Sequence, residues 1–155
     1  MISISSPFYF HLRPDSIKSS KKVYVIDSGI INTLAFKDEA EIMKDKTYQG
    51  QLVENVLYNL LLSYKQSFGS FQPQIPYWLD DKTNKEIDFI LEIKNRIIPI
   101  ESKVKKLPET DELEILKRFM KGKASTGFGI ITTDESLEIK ENILLIPCYI
   151  LAMLL

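Results

Sequence analysis

From Gly50 onward the apolar residues recur at helical spacing. Leu52, Val53, Val56, Leu57, Leu60 and Leu61 form one stripe, with Glu54, Asn55, Tyr58 and Asn59 between them. The spacing predicts a helix that ends near residues 67–69, where Gly69 is a natural stop. The period then changes to two. Residues 71–79 read as a strand and 80–84 as a polar turn; 85–93 alternate, with Ile87, Phe89, Leu91 and Ile93 on one side. Lys94-Asn95 is a two-residue turn, and 96–104 return as the next strand. Pro108 and the acidic run Glu109-Thr110-Asp111-Glu112 mark a helix start that suits the dipole. Leu113, Leu116, Phe119 and Met120 supply its apolar face, and Lys117, Arg118, Lys121 and Lys123 its basic end. Residues 127–133 read as a buried strand, 143–146 as another, and 149–155 as a short apolar helix.

Before Gly50 the pattern is weaker. Residues 1–22 carry Pro7, Pro14 and a Ser/Lys-rich stretch and read as an irregular lead-in, leaving 23–155 as one domain. Residues 23–26 form a short strand closed by Asp27-Ser28-Gly29, and 30–46 have room for short helices. The order from Gly50 is helix, three strands, helix, strand. That order predicts an α/β fold with a mixed central sheet flanked by helices.

Composition narrows the chemistry. At 155 residues the chain is long enough for one core without covalent staples. One cysteine and one histidine exclude a disulfide, a cysteine-cluster zinc site and a histidine-pair metalloprotease. Cys148 reads as a buried thiol and His11 as incidental. No stretch reaches the roughly 18 apolar residues that span a bilayer, and no signal-peptide pattern opens the chain, so a cytoplasmic, membrane-free location is expected. The net charge of −1 speaks against a globally basic nucleic-acid binder. Locally the balance differs: Lys94, Arg96, Lys103, Lys105 and Lys106 face only Glu101 between residues 94 and 106. Such clusters suit phosphate contacts, and equally suit a solvated surface.

The hairpin closed at Lys94-Asn95 concentrates the candidate chemistry. A two-residue turn pairs Phe89 with Ile100 and Leu91 with Ile98, which gathers apolar residues on one face. It also sets Asp88 opposite Glu101 on the other face, and Glu86 opposite Lys103. Like charges opposed in a sheet repel, and a divalent cation offsets that repulsion. Charge alternation on a solvated sheet face, screened by lysines, accounts for the same residues, and spacing alone leaves both readings open.

The runs Glu86-Ile87-Asp88-Phe89-Ile90 and Ile98-Pro99-Ile100-Glu101-Ser102-Lys103 resemble the motif of the PD-(D/E)XK nuclease superfamily. More narrowly, the chain resembles the uncharacterised nuclease-like domain at the C-terminus of many prokaryotic AAA-type ATPases. Residues 22–29, 50–55, 76–88, 98–103 and 129–147 carry that likeness in order. The superfamily's proline is absent before Asp88, where Ile87 stands.

The resemblance implies a restriction-endonuclease-like αβββαβ core. It makes Asp88 and Glu101 ligands for Mg2+ or Mn2+, Lys103 the group that orients or polarises water, and Glu54 an assisting carboxylate from the first core helix. DNA is the implied partner, with Lys94, Arg96, Lys105 and Lys106 as backbone contacts. An ATPase module is implied in cis or in trans, and the lead-in is expected to be the tail of a connection to it; self-association is left open. No G-x-x-x-x-G-K-[ST] occurs, since Ala124 follows Gly122-Lys123, so no ATP site is expected in this chain. The alternative is an inactive module on the same scaffold that binds nucleic acid or protein. Asp27 reads as a turn or cap residue, and Tyr77 and Trp78 as core aromatics.

Overall fold

The computed structural model describes residues 2–6, 8, 21–69, 73–80, 83–122 and 127–155. His11, most of the 1–22 lead-in, the start of the 71–79 strand, Asp81, Lys82 and Lys123 lie outside these residues. The described elements are β1 (Ile2–Ser5), β2 (Lys22–Val25), α1 (Ser28–Leu34), α2 (Glu39–Lys44), α3 (Lys46–Ser67), β3 (Trp78–Leu79) and β4 (Glu86–Ile87). They continue with β5 (Phe89–Ile93), β6 (Arg96–Glu101), α4 (Thr110–Lys121), β7 (Gly129–Thr133), β8 (Glu138–Lys140), β9 (Ile143–Pro147) and α5 (Cys148–Leu154).

The hairpin forms in the expected register, with Phe89 opposite Ile100 and Leu91 opposite Ile98. Its turn residues Lys94 and Asn95 have φ of 44° and 63°. Positive φ at both positions is the geometry whose twist matches the flanking strands. The hairpin is one edge of a five-stranded mixed sheet ordered β5-β6-β7-β9-β8. Through α4 the chain crosses from β6 to the parallel β7, and β9 lies parallel on the far side of β7. A second two-residue turn, Glu141-Asn142, joins β8 to β9.

Both faces of the sheet are covered. On one, Phe89, Leu91, Ile100, Ile130 and Ile146 pack with Leu57, Tyr58 and Leu61 of α3 and Leu151 of α5. On the other, Ile90, Ile131, Ile143 and Leu145 pack with Ile115, Leu116 and Phe119 of α4. Each such side chain contributes about 1.5–3 kcal/mol relative to exposure. Tyr77 is buried, Trp78 packs edge-on against Phe119, and Asp27 caps α1 by accepting from the Gly29 N–H, as the sequence suggests. Cys148 is half-buried at the start of α5, where burial pushes its thiol pKa up. No helix among the described residues is long and apolar enough to cross a membrane.

Several expectations need correction. Residues 2–5 are a strand that pairs with β2, although the lead-in reads as irregular. Its alternation is inverted: Ile2 and Ile4 are exposed, while Ser5 is fully buried and donates to the Ile75 carbonyl at 2.7 Å. Helix α3 starts at Lys46, four residues before Gly50, because the Asp45 side chain accepts from the Tyr48 N–H. Its buried face is rotated toward Asn55 and Tyr58 and leaves Val56 exposed. Tyr58 stacks on Tyr24 with ring centroids 4.0 Å apart. Asn55 acts as an extra strand partner: its amide accepts from the Val25 N–H at 2.8 Å and donates to the Val25 carbonyl at 2.7 Å. Within the described part of the expected 71–79 strand, Trp78–Leu79 pairs in a sheet, and the 96–104 strand ends at Glu101. The expected 85–93 strand breaks at Asp88, so Ile87 and Phe89 face opposite cores.

Gly129 gives a test of the α4 face. A Cβ there would lie 2.9 Å from Leu116 Cδ2 and 3.3 Å from Met120 Sδ. Gly129→Val is expected to destabilise the fold by about 1–3 kcal/mol through overpacking, measured by urea unfolding. An unchanged midpoint would contradict the close α4–β7 contact.

Candidate functional site

The β5–β6 ladder stops at Phe89 opposite Ile100, and the next step brings Asp88 beside Glu101 as the register requires. The Asp88 N–H donates to Glu101 Oε2 at 3.2 Å, and the Ser102 N–H donates to Asp88 Oδ2 at 2.9 Å. Neither acid is solvated. Asp88 is 6% exposed and Glu101 5%. Glu101 ends β6 at its carboxyl end, beside the parallel β7, and the chain is held there by the Lys103 N–H donating to Thr132 Oγ1 at 2.9 Å. In open α/β sheets this end of the strands is where ligands bind.

Two ammonium groups answer the acids. Lys103 Nζ lies 2.7 Å from Glu101 Oε1 and 3.9 Å from Glu112 Oε1. Lys22, at the start of β2, lies 2.9 Å from Asp88 Oδ1, 3.1 Å from Glu54 Oε1 and 2.8 Å from Glu86 Oε1. The expected Glu86–Lys103 pairing is therefore replaced. The bend at Asp88 turns Glu86 to Lys22, and the end of the β6 ladder turns Lys103 to Glu101. The Tyr24 hydroxyl donates to Glu54 Oε1 at 2.7 Å, which fixes the α3 carboxylate across from the acid pair. So Glu54, Asp88, Glu101 and Lys103 come together.

Sequence reasoning missed Lys22 and Tyr24 as site residues. Their two-residue spacing places both side chains on one face of a strand, but only a partner sixty-six residues away, Asp88, gives that face a purpose.

The three carboxylates around Lys22 are spaced for an ammonium. Among the described residues no group of three or more His, Cys, Asp or Glu could hold a metal ion. The ligand chemistry on offer is that of hard oxygens, with Asp88 Oδ1 and Glu101 Oε1 each turned toward a cation.

Burial, and then the Asp88 charge, push the Glu101 carboxyl up to about 8; Lys103 pulls the other way without cancelling them. For the lysines burial alone would lower the pKa. The carboxylates win instead: Asp88 and Glu54 raise Lys22, and Glu101 raises Lys103. Tyr24 is raised by burial and then by Glu54, so its hydroxyl stays a donor.

A cleft of about 350 Å³ is lined in part by Gly50, Glu54, Asp88, Lys103 and Lys105, while Glu101 lines a second cleft of about 180 Å³ with Lys103 and Glu112. The basic residues divide by position. Lys105 borders the cleft but is paired with Glu112 at 2.7 Å and Glu109 at 2.9 Å; Lys106 pairs with Glu135 at 3.1 Å. Lys94 and Arg96 sit at the turn, the opposite end of the hairpin from Asp88 and Glu101, where Lys94 lies over the Phe68 ring.

The raised Glu101 carboxyl sets a pH dependence. The folded state holds this proton more tightly than the unfolded chain. Its contribution is full below about pH 4.5 and is lost as pH rises through about 8. Glu101→Gln is expected to gain stability relative to the wild type as pH rises from 5 to 8.5, measured by urea midpoints. Parallel pH profiles would count against the buried, proton-retaining carboxyl.

No curated protein and no solved structure matches the chain. Residues 49–151 match a family model described as a domain of unknown function, DUF4143. The match takes in Glu54, Asp88, Glu101 and Lys103, and leaves Lys22 and Tyr24 outside it. It covers well over half of the sequence, and the chain therefore belongs to the DUF4143 family.

Proposed function

We propose that this chain is a metal-dependent nuclease-like domain that acts on DNA phosphodiester bonds, with the restriction-endonuclease-like αβββαβ core of the PD-(D/E)XK superfamily. In this reading it serves as the C-terminal partner of an AAA-type ATPase module. The observation that carries it is the burial of Asp88 and Glu101 side by side, with Lys103 on Glu101 and with Asp88 and Lys103 lining one cleft. The order α3, β3, β4–β5, β6, α4, β7 supports the core assignment.

The residues fit Mg2+ or Mn2+. Mg2+ is commonly held by one or two carboxylates plus waters and substrate phosphate, and Asp88 Oδ1 with Glu101 Oε1 supply such a pair. A bound divalent cation supplies charge stabilisation at the phosphorus centre and lowers the pKa of water. The chain's own groups do the rest. Lys103, anchored by Glu101, orients the attacking water and stabilises developing negative charge. Glu54, steadied by Tyr24, bounds the cleft on the α3 side. Lys105 lines the cleft and would exchange its carboxylate partners for phosphate, while Lys106 lies outside the lining and Lys94 and Arg96 would meet a duplex only farther along the hairpin.

A second reading is an inactive binding module on the same scaffold. It is favoured by the internal donors already placed on both carboxyl groups. Plasmid nicking separates the two. The wild type is expected to cleave plasmid or single-stranded DNA with Mg2+ or Mn2+ and to stop in EDTA. Lys103→Ala is expected to be slower by about 10²–10³-fold. Cleavage that survives the substitution sinks the nuclease assignment; DNA retardation without cleavage, by either protein, favours the binding module.

A further inference from the structure

The five-stranded sheet has two edges, and they are finished differently. At β5 the Ile90 N–H donates to the Pro76 carbonyl at 2.7 Å, so the segment leading into β3 covers that side. At β8 no strand lies on the outer side among the described residues. The turn Glu141-Asn142 makes Lys140 and Ile143 the closing pair of the β8–β9 hairpin. In a two-residue hairpin the closing pair exchanges both backbone bonds, and the pattern then alternates along the strand. Lys140 and Glu138 therefore bond to β9, while the N–H and C=O of Ile139 point away from the sheet. Edge strands are commonly kept from pairing by shortness, charge or proline. β8 is short, yet its central Ile139 is 74% exposed and Leu137 just before it 62%. Ile139 stands opposite Leu144, on the sheet face that α5 covers; Glu138 and Lys140 share the other face, opposite Leu145 and Ile143.

We propose that β8 is a self-association edge, through which two copies of this chain join antiparallel into one continuous sheet. The order Glu138-Ile139-Lys140 is complementary to itself. An antiparallel copy centred on Ile139 sets Glu138 against Lys140 of the second copy, and Lys140 against its Glu138. The two Ile139 residues then exchange their outward N–H and C=O bonds, and their side chains meet on the α5 face. Opposite charges directly across a ladder attract, and a two-fold axis supplies both contacts at once. A parallel copy in the same register would set like charges together. Three strand residues a side bury less than the roughly 1,000 Å² expected of a stable interface, so the dimer is a concentration-dependent one. β9 and β7 run parallel to β6 and antiparallel to β8, so the two-fold turns these strands of one copy against those of the other. The carboxyl ends of β6, where the acids lie, then face opposite ends of the joined sheet. The two clefts stay separate, and pairing requires nothing of the acid site.

The test is sedimentation velocity on the full chain, from micromolar to near-millimolar concentration. The wild type is expected to shift from monomer to dimer as its concentration rises. Lys140→Glu and Glu138→Lys each oppose like charges across the edge, and each is expected to weaken dimerisation at least tenfold. Mixed in equal amounts, the two variants are expected to pair with each other at wild-type strength or above. Urea midpoints check that each variant is folded. Hydrogen exchange on the wild type decides the matter even if a variant is not: the Ile139 amide is expected to exchange severalfold more slowly in the dimer. A wild type that stays monomeric throughout overturns the inference. So does a dimer that survives both single substitutions, a folded pair of variants that fails to associate, or a dimer in which Ile139 exchange is unchanged.

Discussion

Two carboxylates buried against each other are the constraint around which this molecule is arranged. Asp88 and Glu101 are each almost fully removed from water. Uncompensated, a buried charge costs several kcal/mol, and a like neighbour raises that cost. Every oxygen of the pair is met: Asp88 by Lys22 and the Ser102 N–H, Glu101 by Lys103 and the Asp88 N–H. These contacts reach into β2, the end of β6 and the segment leading to α4. The network also includes a helix cap. Glu112 Oε2 accepts from the Glu109 N–H at the start of α4, while Glu112 Oε1 holds Lys105. Capping, strand termination and site assembly are one electrostatic problem here.

The surrounding fold answers that problem by covering both sides of the sheet near the acids. The bend at Asp88 puts Ile87 in the α4 core and Phe89 in the α3 core, so neither face beside the pair is left wet. Pro99 sits in a central strand, a position that forfeits one ladder hydrogen bond. The cost is limited because β7 pairs with β6 only at Ile100 and Glu101. The sheet therefore reaches its full five-strand width only beside the acids.

Local rules made the hairpin legible in the sequence. A two-residue turn and strict alternation leave one register that buries Ile98 and Ile100 with Phe89 and Leu91, and the acid pair follows from it. What lay beyond the ladder was not legible. The pattern Ile87, Phe89, Leu91 looks like one continuous face, and only the burial of Asp88 explains the break. Likewise Asn55 and Tyr58 looked like the polar side of α3, because the backbone of β2 and the Tyr24 ring they meet are thirty residues or more away. Ser5 inverts the usual alternation, since its hydroxyl is satisfied by a carbonyl supplied by tertiary packing. The coarse α/β layout and the meeting of the four site residues were readable; the counter-ion that completes them depends on contacts of long sequence separation.

That separation bears on the order in which the molecule assembles. Asp88 and Glu101 are brought together by thirteen residues of chain, through contacts that form quickly. Their principal counter-charge on the Asp88 side arrives from sixty-six residues away, when the N-terminal ribbon docks on α3. Without the ribbon, Lys103 alone, two residues from Glu101, answers the acid pair, and Asp88 lacks its ammonium. The ribbon is thus more than a flanking ornament of the sheet: it carries the cation that completes the acidic end of the hairpin, so loosening the ribbon is felt sixty-six residues away at Asp88.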